Sequence, residues 1–196
     1  MKKFVGDLSR QDAEIIERYA SHATSVLEFG VGGSTQIIAQ AIPADSKFLS
    51  LDTNQEWIET TRTNLRRLDV EGRVRIGRYE NWRSRKNRYD LIFNDGSKRL
   101  RREFALRSFP LLVQGGVMLF HDTRRADDVK NVTALVENFF EEIESVNLNE
   151  RVEGKASNIT VVKKKVKEPY SNWNKVEGKP RWAMGLAQAP ESFWSK

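Results

Sequence analysis

Cysteine is absent from the 196 residues, which excludes disulfides, thiolate metal sites and a cysteine nucleophile. Histidine is scarce: His22 and His121 lie far apart in the chain and cannot by themselves form a zinc site. No stretch approaches the roughly 20 apolar residues of a membrane-spanning helix. The basic start Met1-Lys2-Lys3 runs through Phe4-Val5 straight into Gly6-Asp7, without the apolar run of a signal peptide. No repeat of solenoid length and no low-complexity tract occurs. The expectation is a cytoplasmic protein with no membrane attachment.

What is present suits one globular domain, with 39% hydrophobic and 31% charged residues and apolar material for one sizeable core. The formal charge of +6 is clustered. Arg78, Arg83, Arg85, Lys86 and Arg88 form one group; Lys98, Arg99, Arg101 and Arg102 a second; Lys163, Lys164, Lys165 and Lys167 a third. Such clusters are either solvated faces or an attraction for an anionic ligand, be it a phosphorylated small molecule or nucleic acid.

Ser9-Arg10-Gln11-Asp12 reads as a helix start, followed by Ala13, Ile15, Ile16, Tyr19 and Ala20 at helical spacing. A strand over 25–29, a glycine turn at 30–33 and a helix over 34–42 follow. Next come a strand over 47–51 ending on Asp52, a helix over 55–69 and a strand over 73–76. The basic segment 78–88 is a connection. A strand over 89–94 leads into a helix over 98–113, which Pro110 kinks or ends early. Gly115-Gly116 is a turn, 117–120 a buried strand and 126–141 a helix. Segments 142–148 and 157–163 pair as a hairpin around Glu153-Gly154. Strands alternating with helices imply an α/β fold: a doubly wound, mostly parallel Rossmann-like sheet with an antiparallel edge strand. The domain is expected over 1–165. The tail over 166–196 carries Tyr170, Trp173, Trp182, Phe193 and Trp194, too aromatic for a disordered segment. It packs on its own domain, over the active site or on a second subunit, which makes a homodimer plausible.

The turn Val26-Leu27-Glu28-Phe29-Gly30-Val31-Gly32-Gly33-Ser34-Thr35 carries the most information. Its glycines let the backbone leave the strand tightly and approach a ligand at a helix N-terminus. The dinucleotide pattern G-x-G-x-x-G requires glycine where Thr35 stands. Glu28 suits an ammonium group better than a pyrophosphate, and Asp52 is placed to accept from both hydroxyls of a ribose, or else caps the next helix.

Glu28, the glycines and Asp52 together resemble the class I S-adenosylmethionine-dependent methyltransferases over about residues 8–163. The resemblance implies that fold and S-adenosylmethionine bound by Glu28, Gly30, Val31, Gly32, Ser34, Thr35, Asp52, Asn94 and Asp95, with Tyr79 near the adenine. Trp82 either lines the adenine pocket or packs.

At the following strand ends stand Asn94-Asp95-Gly96-Ser97-Lys98 and Phe120-His121-Asp122-Thr123. Two aspartates meeting there suit Mg²⁺, which would favour a deprotonated acceptor hydroxyl. The pattern resembles the catechol, caffeoyl-CoA and macrocin-type O-methyltransferases. That implies Asp95, Asp122 and Thr123 as metal ligands and Lys98 as general base, with Asp95 and Asp122 in the catalytic set. Thr123 stands where the catechol-type group has asparagine, and the histidine that follows Asp-Gly in the macrocin-like group is missing. The alternatives are local: Asp95-Gly96 as a turn, Asp122 as a helix cap, Asn94 and Asp95 as ordering residues, His121 as a satisfied buried histidine. The acceptor is expected to be a small molecule bearing an oxygen nucleophile, with an anionic one favoured by the basic clusters. A nucleic-acid methyltransferase and a cofactor-binding protein without catalysis are the other readings.

Overall fold

In the computed structural model, which describes residues 8–83 and 88–166, strands alternate with helices as far as residue 78 and again over 89–147. The order is α1 (Arg10–Ala20), β1 (Ser25–Phe29), α2 (Gly33–Ala41), β2 (Lys47–Asp52), α3 (Gln55–Arg67) and β3 (Arg75–Arg78). Then come β4 (Tyr89–Asn94), α4 (Arg101–Ser108), β5 (Leu112–Phe120), α5 (Ala126–Phe139) and β6 (Ile143–Asn147). A small hairpin, β7 (Arg151–Val152) and β8 (Lys155–Ala156), precedes β9 (Thr160–Lys164). No helix of the described residues is long and apolar enough to cross a membrane.

Local chemistry sets the starts. Ser9 caps α1 reciprocally: its Oγ accepts from the Asp12 amide at 3.1 Å, and its own amide donates to Asp12 Oδ2 at 2.9 Å. Asn54 caps α3 by accepting from the amides of Glu56 and Trp57.

Seven strands form one sheet in the order β3-β2-β1-β4-β5-β9-β6. Neighbours from β3 to β5 are parallel, and β9 runs antiparallel to both β5 and β6. The antiparallel strand therefore lies one position inside the edge, which β6 occupies. Each strand alternates its apolar residues between two cores. Val26, Phe48, Leu91, Phe93 and Leu119 pack with Ile15 and Ile16 of α1 and Ile37 and Ile38 of α2. Leu27, Phe29, Leu51, Ile92 and Met118 pack with Phe104 of α4 and Leu135 of α5. Burying both faces in this way is what makes the central strands read as continuous apolar runs.

Three expectations need correction. The helix expected over 98–113 is only α4, because Phe109–Leu111 tightens into a 3-10 turn around Pro110. Strand β5 then starts at Leu112, and Gly115-Gly116 lies inside it rather than in a turn. The pairing with β4 slips between Tyr89 and Leu91, and this irregularity uses the positive φ of Gly115, +75°. Strand β3 sits two residues later than expected. The hairpin expected at the end is present as β6 and β9, with the tight turn at Glu153-Gly154 between them. The aromatic tail, and with it the homodimer, lies outside the described residues.

Candidate active site

The chain order of the strands reverses between β1 and β4, and the carboxyl ends there flank a cleft of about 620 Å³. Gly30, Gly32, Asp52, Asp95, His121 and Asp122 all face it.

Gly30 locks the floor. Its amide donates to the Leu51 carbonyl at 2.8 Å, and the Asp95 amide donates to the Phe29 carbonyl at 2.8 Å. Its φ is +99°, and a Cβ there would lie 2.7 Å from the Asp95 backbone, so only glycine fits. At Gly32 a Cβ would meet nothing within 4 Å, which marks open space over the turn. Asp52 takes the Val31 amide on Oδ2 at 2.9 Å and the Asn54 amide on Oδ1 at 2.8 Å, fixing both loops while facing the cleft.

Glu28 is not in the cleft. As an even-numbered residue of β1 it points beneath α2, fully buried, and accepts from Ser34, Thr35 and Ser50 at 2.5, 2.7 and 2.5 Å. Burial pushes its carboxyl up to about 7 against the pull of those hydroxyls. It anchors the glycine turn from below, and the direct ammonium contact expected of it is not made by this arrangement. Thr35 shares that role, since its hydroxyl also accepts from the Gly32 amide at 2.9 Å.

Tyr79 is likewise turned inward. Its ring stacks edge-on against Phe29 and Phe104, and its hydroxyl donates to Glu103 at 2.7 Å. Trp82 packs against the same Phe29 ring. Asn94 is buried and donates to the Arg101 carbonyl at 2.9 Å, tying β4 to α4. The aromatic that does reach the cleft is Trp57 on α3, 45% exposed and unassigned by the sequence.

At the far wall, Asp95, His121 and Asp122 each offer a ligand atom within 4.8 Å of one another. Asp122 adopts a left-handed conformation with φ 62°, which aims it back across the strand ends. His121 Nδ1 is 3.1 Å from Asp95 Oδ1, and Nε2 is 3.6 Å from Asp12 Oδ2. Burial alone would lower its pKa, but the facing carboxylates of Asp12, Asp95 and Asp122 push it up to about 10, so the ring is a cation at neutral pH.

The cations already present decide whether this set fits a divalent ion. Arg101 bonds Asp95 Oδ1 at 2.7 Å and Asp122 Oδ2 at 3.1 Å, and Arg125 reaches the same Asp122 oxygen at 2.8 Å. The Thr123 hydroxyl is spent on Asn149, Asn158 and Thr160. Asp95, His121 and Asp122 lie close enough to hold a metal ion, but one oxygen of each carboxylate is already paired with arginine, a crowded setting for the octahedral shell of Mg²⁺. Lys98, expected as base, is paired with Asp127 at 3.2 Å on the exposed rim and does not face the cleft.

Residues 27–123 match the family described as a methyltransferase domain. No curated protein sequence matches the chain. Among solved structures, the chain is similar to an O-methyltransferase from Bacillus cereus in complex with S-adenosylhomocysteine, at 18% identity, TM-score 0.65, and coverage of 82% of this chain and 83% of that one. It is also similar to the O-methyltransferase TomG from Streptomyces achromogenes, involved in tomaymycin synthesis and bound to S-adenosylmethionine. That match has 16% identity, TM-score 0.66 and 82% coverage of both chains. A third is an S-adenosylmethionine-dependent O-methyltransferase from Thermotoga maritima, at 15% identity, TM-score 0.60, and coverage of 86% and 69%.

Proposed function

We propose that the chain is a class I S-adenosylmethionine-dependent methyltransferase that methylates an oxygen of a small anionic acceptor. The carrying observation is the cleft at the β1–β4 switch, with the glycine turn and Asp52 on one side and Asp95 on the other. Several of the similar solved structures are O-methyltransferases, which supports the choice of an oxygen acceptor.

S-adenosylmethionine supplies an activated methyl group on a sulfonium. The open space at Gly32 would admit its amino-acid end, Asp52 would accept from the ribose hydroxyls, and Trp57 would offer a face to the adenine. Asp95 Oδ1 is held by Arg101, while Oδ2 has no partner among the described residues. On this reading Oδ2 would accept the proton of the acceptor hydroxyl, freeing its oxygen to take the methyl group that the sulfonium would supply. No step is assigned to a divalent cation. The wall is already charge-compensated by Arg101 and Arg125, so Mg²⁺ assistance is not part of the reading.

The anionic character of the acceptor is supported by Arg99, Arg102 and Arg124. All are exposed around the ends of β4 and β5 and have no ion-pair partner among the described residues. A nucleic-acid acceptor would use the same arginines.

The test is transfer of isotope-labelled methyl to a panel of hydroxylated molecules, each with and without a carboxylate or phosphate. The expected result is O-methylation of anionic members at low salt. Label appearing only in RNA or DNA, with binding that collapses steeply as salt rises, would contradict the small-molecule reading.

A further inference from the structure

Arg101 is the first residue of α4, yet its side chain is nearly buried, 9% exposed, and turned back under the cleft wall. A guanidinium carries five N–H donors in a planar fork. Here all of them are used. Nε donates to the Gly96 carbonyl at 2.9 Å. Nη1 donates to Asp122 Oδ2 at 3.1 Å and Asp128 Oδ1 at 2.8 Å. Nη2 donates to Asp95 Oδ1 at 2.7 Å and to the Asp95 carbonyl at 3.4 Å. Carboxylates from the end of β4, the end of β5 and the first turn of α5 thus converge on one cation.

We propose that Arg101 is the built-in cation of this site, bridging Asp95 and Asp122 where a divalent ion would bridge them, so that the protein neither binds nor requires one. Arginine keeps its charge at every accessible pH, so the position cannot be vacated by loss of a proton. A small divalent ion demands near-octahedral oxygen ligands and tolerates little crowding. One oxygen of each carboxylate is committed, Asp95 Oδ1 to Arg101, with His121 beside it, and Asp122 Oδ2 to Arg101 and Arg125, so a divalent ion would have to share Asp95 Oδ2 and Asp122 Oδ1 with two guanidiniums already at the site. By holding Asp95 through Oδ1, Arg101 is a positioning residue for the Oδ2 atom that faces the acceptor. That role rests on the methyl-transfer reading, whereas the exclusion of a divalent ion does not.

Electron paramagnetic resonance titration of the full chain with Mn²⁺ tests the exclusion. The wild type is expected to show no stoichiometric Mn²⁺ binding, and chelation is expected to leave its melting temperature and its S-adenosylhomocysteine affinity unchanged. Arg101→Ala frees Asp95, His121 and Asp122, and is expected to gain one Mn²⁺ site and to recover melting temperature when the ion is added. Arg101→Lys keeps the charge without the fork and is expected to gain none. Should the alanine variant fail to fold, wild type and Arg101→Lys decide alone. Stoichiometric Mn²⁺ binding by the wild type, or a folded Arg101→Ala that gains no site, would overturn the proposal. Titration of the same wild-type sample with S-adenosylhomocysteine separates the two readings: its failure sinks methyl transfer and leaves the Mn²⁺ result standing.

Discussion

Asp12 in the first turn of α1 and His121 at the end of β5 face each other, with Oδ2 and Nε2 3.6 Å apart and both side chains buried. Burial pushes the Asp12 carboxyl up, but the pull of His121 and hydrogen bonds from Asn158 and Ser9 outweigh it and hold the group well below the usual carboxylate range. The pair ties the N-terminal helix to the wall of the cleft. A histidine raised from 6.5 to about 10 gives stability that is complete below pH 6.5 and lost as pH climbs through 10. Chemical unfolding of wild type is therefore expected to show stability falling over that window by on the order of a few kcal/mol. His121→Asn should flatten the slope, and an unchanged slope would remove the cationic histidine from the picture.

Glu28 acts in a lower window. Its folded pKa of about 7 lies above the ordinary 4.5, so the fold favours the protonated acid. Stability from this group is present below 4.5 and lost as pH rises through 7, by about 3 kcal/mol. Glu28→Gln should flatten that loss. It should also leave S-adenosylhomocysteine affinity at pH 8 within about threefold, since the side chain anchors the turn from beneath and does not line the cleft. A much larger loss of affinity would restore the ammonium contact.

Asp52 and Trp57 are expected to carry cofactor affinity. Asp52→Ala removes an ionised acceptor from the cleft, worth about 1.5–3 kcal/mol, or roughly 10–100-fold in Kd. Trp57→Ala removes a stacking face, worth about 1–2 kcal/mol. Calorimetric titration reads both, and the Tyr79→Phe variant, altered only in a hydroxyl that bonds Glu103 and Arg107 away from the cleft, should bind as wild type.

Asp95 and Lys98 separate the two candidates for proton acceptor. Asp95→Asn should lower kcat by at least about 100-fold while retaining cofactor binding. Lys98→Ala, which breaks only an exposed ion pair, should keep activity within about threefold. The reverse ranking would return the base to Lys98.

The glycine-turn end of the cleft was legible because its constraints are backbone constraints. Gly30 must be glycine where its φ is positive and the Asp95 backbone lies against it, and Asp52 ends its strand beside the turn. The parity of β1 was the overlooked signal at Glu28: Val26 and Glu28 share the face toward α2, where Ser34, Thr35 and Ser50 wait to hydrogen-bond it. The fold was legible from alternation, except where Gly115-Gly116 imitated a turn inside a strand. The wall beyond Asp95 was the least readable. Arg101 looks like one more residue of a basic surface cluster, and only the reach of its side chain to Asp95, Asp122 and Asp128 makes it a buried bridge.

The most direct measurement is calorimetric titration of the protein with S-adenosylhomocysteine, with NAD as control and with or without Mg²⁺. Micromolar binding of S-adenosylhomocysteine alone, with the same affinity in either ionic condition, is the expected result. Absence of that binding, or preference for NAD, would contradict a methyltransferase site in the β1–β4 cleft.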